Sequence, residues 1–212
     1  MKKFELTTDT KIWLGRKLFR IRALISFGNV NVGELGGYVE KEDNLSHEGD
    51  AWVYGNARVS GNACVSGNAR VYGDASVSGN ARVYGNAKVY GNASVFDDAE
   101  VSGNARVSGN ACVSGNACVS GNASVFGDAE VYGNARVYGN ADYATAQGFG
   151  SVYRTTTFFK TKTGDIGVRC GCFYGTLAEF REKVQETHGE SKKGKEYLML
   201  ADLMEYRFSD GK

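Results

Sequence analysis

From Gly49 to Ala144 the hydrophobic and polar positions keep one six-residue beat, x-V-x-G-N-A, through sixteen hexads without insertion or deletion. Counted from each glycine, the third position is Ala from Ala51 to Ala141, and the fifth is Val from Val53 to Val137. Tyr143 replaces Val at the exit, and Asp97 opens the ninth hexad where the others open with Gly. Ala and Val sit two apart, so on an extended segment they share one side, while Arg58 and Ser60 beside Val59 take the other. Gly followed by Asn or Asp supplies a tight bend after each short strand. A small and a medium residue then fill a narrow interior that larger side chains would overpack. Successive coils are expected to stack by parallel pairing at roughly 4.8 Å. A fixed short period of this kind predicts a solenoid.

The flanks break the beat. Residues 1–36 are expected to form an N-terminal β cap over the open edge of the first coil. Lys17 to Ser26 predicts a strand, with Leu18 and Leu24 among arginines on one side and Phe19, Ile21 and Ala23 on the other. Val39, Leu45 and Ala51 are six apart, so the solenoid, 37–144, starts near Gly37 with two irregular rungs. In the C-terminal unit, 145–212, Gln147 to Gly150 is expected to be a flexible joint. Ser151 to Lys160 and Ile166 to Phe173 are rich in β-formers and joined by Lys162-Thr163-Gly164-Asp165, a hairpin signal. Thr176-Leu177-Ala178-Glu179 is a capping box that opens a helix with Leu177, Phe180, Val184 and His188 on one stripe, ended by Gly189. A second helix is expected from Lys195 to Phe208, with Tyr197, Leu200, Ala201, Met204 and Phe208 facing inward.

Composition narrows the function classes. The chain has 212 residues, 42% of them hydrophobic, and a net charge of +1. Near-neutral charge gives no global reason to bind long nucleic acid or an anionic membrane. No apolar run is long enough to span a bilayer, and MKKFELTTDT has no apolar core after its lysines, so a cytoplasmic location is expected. The five cysteines are an odd number, which favours a reducing compartment.

The repeats resemble the hexapeptide motif of the left-handed β-helix superfamily. The resemblance implies three hexads per triangular coil of eighteen residues, and frequent trimers. The implied class is mainly β: a left-handed parallel β-helix with an N-terminal β cap and a C-terminal β-hairpin plus two α-helices. That superfamily includes acyltransferases, carbonic anhydrases, ice-binding proteins and inert spacers, so the fold alone does not give the function. LFRIRALISFGNV, LGGYVEKEDNLSHEGDAWVYGNA and RCGCFYGTLAEFREKVQETHG resemble segments flanking the repeats of phage- and prophage-encoded hexapeptide proteins. In that coil Cys64 and Cys118 share a face about 14 Å apart, and Cys112 and Cys118 fall on different faces, so no solenoid pair meets disulfide geometry.

Taking every third hexad together gives three faces. The first presents Trp52 with Tyr54, Arg70 with Tyr72, Lys88 with Tyr90, then Arg106 with Ser108. Three like charges on neighbouring rungs cost at most about 1 kcal/mol per pair in water. Cations interleaved with aromatic rings suit a phosphate-bearing ring system, guanidinium on phosphate and aromatic on base. Arg70, Lys88 and Arg106 are the candidate anion ligands, and Trp52, Tyr54, Tyr72 and Tyr90 the candidate stacking groups. The same ladder also fits cross-strand packing or a surface between subunits of a homo-oligomer.

Catalytic signals are thin. A hexapeptide acyltransferase needs a general base, usually His, and the chain has two histidines. His47 is expected in an inward position of an irregular rung, as a cap residue, and His188 at a helix terminus. A zinc site of the carbonic-anhydrase type needs three histidines. Cys170-x-Cys172 alternates onto one strand face without a second pair, so neither a metal nor a cofactor is expected. The outward solenoid positions contain no threonine array for ice, and the glycines are corners, not a phosphate cradle. The sequence therefore points to a non-enzymatic, phage-type binding protein directed against host defence. It would sequester a nucleotide-like anion or block a host protein. An acyltransferase, dependent on His47 or His188, and a purely structural oligomer or spacer are the alternatives.

Overall fold

A computed structural model describes residues 1–150 and 153–209. The chain is mainly β, a parallel β-solenoid of about six turns with an antiparallel sheet and two helices at its C-terminal end. Each hexad supplies a two-residue strand, and each strand pairs with the one eighteen residues on, as Arg70 does with Lys88 and Lys88 with Arg106. Three walls result. Wall one stacks Trp52, Arg70, Lys88, Arg106 and Ser124. Wall two stacks Arg58, Ser76, Ser94, Cys112 and Glu130, and wall three Cys64, Arg82, Glu100, Cys118 and Arg136. Every interior Ala from Ala51 to Ala135 and every Val from Val53 to Val137 is fully buried.

The corners explain the glycines. Gly67 has φ +66°, and a Cβ there would stand 3.0 Å from the backbone nitrogen of Gly85 on the next rung. Asp97 takes the same conformation at φ +59° and uses its carboxylate to accept from the Gly115 N–H at 3.1 Å. Asn side chains join successive corners, in one run from Asn68 through Asn86 and Asn104 to Asn122, at 3.1 Å per step.

At the N-terminal end, Phe4–Trp13 and Arg16–Ala23 form an antiparallel hairpin, and Leu35–Val39 carries it into wall two. The first of these strands was not evident in the sequence. Leu18 is buried together with Ile21 and Ala23, not exposed with Leu24, because the pairing shifts register between Leu6 and Thr10 and again between Arg20 and Arg22. A bulge of this kind breaks the period-two alternation. The first coil is also longer than the rest: Val39 pairs with Val59 and Leu45 with Val65, twenty residues on. Two extra residues lie between Leu45 and Trp52, and they carry His47 out of the inward position expected for it.

At the C-terminal end, Tyr143–Phe149, Arg154–Lys160, Ile166–Cys170 and Phe173–Thr176 make a four-stranded antiparallel sheet. The expected joint at Gln147 is part of its first strand. Ser151 and Val152, assigned to a strand from sequence, lie outside the described residues. The hairpin over Lys162 to Asp165 forms as expected, with Lys160 opposite Ile166. Phe158 and Phe159 are both fully buried but on opposite faces. Phe159 joins the solenoid interior, and Phe158 packs with the helices. Helix α1, Leu177–His188, has the predicted capping box on Thr176 and Glu179 and ends at Gly189. Helix α2, Lys192–Phe208, starts three residues earlier than expected because the Ser191 hydroxyl caps it by accepting from the Gly194 N–H. The five cysteines are unpaired.

Candidate ligand-binding cleft

Wall one carries the candidate cleft. Tyr54, Arg70, Tyr72 and Lys88 line an open hollow of about 420 Å³, with Asn29 on its rim. Parallel register sets Arg70, Lys88 and Arg106 in one row, one strand spacing apart. The Tyr72 and Tyr90 rings stack face to face, 4.8 Å between centroids and 3° from parallel. That spacing is the strand spacing itself, so no planar ring can enter between them. A ring can lie on the outer side of Tyr72, where the hollow opens towards Tyr54. Burial pushes the Tyr54 and Tyr72 phenols up, so both stay neutral hydrogen-bond donors at physiological pH.

Comparison among the walls shows what is particular to this row. Arg58 of wall two lies over the Trp13 ring at 5.1 Å and donates to the Asp74 carbonyl at 2.7 Å. Arg82 of wall three donates to Glu100 at 3.2 Å, and Arg136 donates to the Asn116 carbonyl at 2.8 Å. Among the described residues, Arg70, Lys88 and Arg106 make no ion pair. Three aligned cations without an ion-pair partner leave this strip of wall one electropositive, with Glu34 and Asp50 as acidic neighbours at its Tyr54 end.

Not all the residues expected there are present at its surface. Trp52 is fully buried under the N-terminal unit, with Phe27 at 5.3 Å and Phe4 at 6.2 Å between ring centroids. It cannot stack on a ligand; Phe4 and Phe27 of the cap pack over it on the outer side of the first coil. Arg106 is exposed beyond the hollow, and Tyr90 reaches it only through Tyr72. Asn29 was missed. It sits in a two-residue Gly28-Asn29 turn between Phe27 and Val30, and that dipeptide between β-formers was the available signal.

The other candidate groups are structural or scattered. His47 accepts from the Lys3 backbone N–H through Nδ1 at 3.1 Å and stacks on Phe4 at 4.4 Å. His188 stacks on Tyr197 at 5.8 Å beside a cleft of about 240 Å³ that Cys170, Cys172 and Lys183 also line. The two cysteines do not alternate on one strand face. Cys170 ends a strand, and Cys172 lies past the Gly171 turn at φ +59°. No cluster of three His, Cys, Asp or Glu side chains suited to a metal occurs among the described residues. Burial pushes the Cys64 and Cys112 thiols up, away from the thiolate form a nucleophile needs. No helix among the described residues is long and apolar enough to cross a membrane.

Fold and cleft together define a β-solenoid repeat protein with an electropositive, aromatic-lined wall. Consistent with that class, the family described as YdcK Beta solenoid repeat matches residues 51–67, 63–79, 99–115 and 129–141. No curated protein matches the chain.

Proposed function

We propose that the protein binds rather than catalyses, and that its ligand is a nucleotide-like anion held on wall one. The observation that carries this reading is the row of unpaired cations beside an open aromatic hollow, on a molecule whose other wall arginines each have a partner. Arg70 and Lys88 hold phosphate, and Tyr72 supports the ring on its outer face. Sequestration of a host signal by a phage-encoded, cytoplasmic solenoid is the biological form of this proposal, supported by the resemblance of both flanking segments to phage proteins. The two histidines lie outside this cleft, so among the described residues no histidine base stands beside it for an acyltransferase.

Native mass spectrometry of the purified protein with a panel of nucleotide second messengers and acetyl-CoA tests the reading. Retention or uptake of a nucleotide is expected, abolished by Arg70→Glu with Lys88→Glu while the circular dichroism spectrum is unchanged. A protein that ignores the whole panel, or a double variant that binds as well as the native chain, refutes it.

A further inference from the structure

Helix α2 is apolar on two sides. Its inner stripe, which includes Tyr197, Leu200, Met204 and Phe208, is buried in the C-terminal core. Its outer side carries Met199, Leu203 and Tyr206, which are 70%, 55% and 81% exposed. Spacings of four and three put these side chains on one line along the helix. Single exposed apolar residues are ordinary on a soluble surface, but a continuous line of them marks an interface. The solenoid extends it. Phe126, 60% exposed on the last rung of wall one, faces α2 across a groove of about 690 Å³ that Tyr143, Ala144, Leu203 and Tyr206 also line.

We infer that this stripe and groove form a two-fold interface with a second copy of the chain. The stripe is self-complementary, because Leu203 lies between Met199 and Tyr206. Antiparallel pairing of two α2 helices about Leu203 sets Met199 of the second copy against Tyr206 and the groove beside it, and the converse. A flexible thioether suits an irregular groove lined by aromatic rings, and antiparallel helices oppose their dipoles. The area is also sufficient. Side chains of this size at these exposures present about 500 Å² per protomer. Burying that on both copies removes about 1,000 Å², the level at which a specific interface begins. Arg70 and Lys88 lie two or more rungs from Phe126 on wall one, so the pairing leaves the cleft open and gives each particle two of them.

Analytical ultracentrifugation of the full chain over a concentration series tests the inference. A species of twice 22.8 kDa is expected. Leu203→Glu is expected to weaken association by on the order of 100-fold, since it places a charge at the centre of the interface. Its circular dichroism spectrum should match the native chain, because the side chain is already exposed. Met199→Glu and Tyr206→Lys should each weaken association. Combined in one chain they should restore it, because the two new charges meet only across an antiparallel pair. A native chain that stays monomeric at tens of micromolar overturns the inference. So does an assembly, of three copies or any other number, whose mass Leu203→Glu leaves unchanged.

Discussion

The two ends of the solenoid are closed by opposite chemistry. Apart from the bonds between paired strand residues, the N–H groups that link rungs donate to carbonyls of the rung that follows, as Arg70 donates to Ala87 and Tyr72 to Val89. These bonds leave carbonyls of the first turn without a preceding rung to pair them, and N–H groups of the last turn without a following one. The N-terminal cap accordingly supplies donors. Lys3 Nζ donates to the Gly49 and Ala51 carbonyls at 3.2 and 3.0 Å, and Asn44 Nδ2 to those of Gly61 and Ala63 at 3.1 and 2.8 Å. The C-terminal cap supplies mainly acceptors, although the Tyr143 hydroxyl and the Lys162 N–H donate to the Ser124 and Asn134 carbonyls at 2.7 and 3.0 Å. Thr157 Oγ1 takes the Glu130 N–H at 2.9 Å, Asn140 Oδ1 that of Ser124 at 2.8 Å, and Asp142 Oδ2 those of Tyr138 and Gly139 at 2.9 Å each. The caps are not interchangeable, and buried backbone groups left unpaired are costly.

Breaking a plug should show the largest effect. Phe159→Ala opens the last turn and Phe4→Ala the first, and each should lose about 3–5 kcal/mol in urea titrations followed by circular dichroism. Gly167, opposite Phe159, leaves room for that ring, so Gly167→Ala should act in the same direction. Next come the polar caps at the first turn. Asn44 is fully buried, and its amide oxygen accepts from the Glu40 and Lys41 N–H groups while its nitrogen donates. Asn44→Ala should cost about 2–3 kcal/mol, and Asn44→Asp more, since a carboxylate cannot donate to two carbonyls. Thr157→Val, at the other end, removes one acceptor with little change of shape and should cost about 1 kcal/mol.

A further test is a slope with pH. Burial lowers the Lys3 ammonium from 10.5 to about 8, against the pull of Asp50 in the other direction. Between those pH values the unfolded chain holds a proton on Lys3 that the folded chain has shed. Native stability should therefore rise with pH from 8 towards 10.5, and Lys3→Met should lose that part of the rise. Denaturation series across the window, native against variant, measure the difference directly.

What could be read beforehand follows the same division. Within the hexads each residue's surroundings are set by residues six and eighteen away, so burial, walls and the row of Arg70, Lys88 and Arg106 were legible. At the caps the partners are far apart in sequence and follow no period. Nothing local marks Lys3 as a donor to Gly49 and Ala51, or Asn44 as one to Gly61 and Ala63. Trp52 occupies an outward position of its hexad, and only Phe4 and Phe27 from the cap turn it into core. His47 left the expected frame because a corner gained two residues. The strand over Tyr143–Phe149 was hidden by the Gly and Gln residues at its end, which pairing with Arg154–Lys160 overrides.

The three-walled register also makes the molecule a cog with three teeth. Insertion or loss of one hexad would advance everything downstream by a single wall, swinging the C-terminal sheet and helices a third of a revolution relative to the cleft. Three hexads together would restore the original heading and change only the length, by ~4.8 Å. Genes of this design can therefore drift in size by whole coils while keeping both ends aligned, whereas smaller changes re-aim one end against the other.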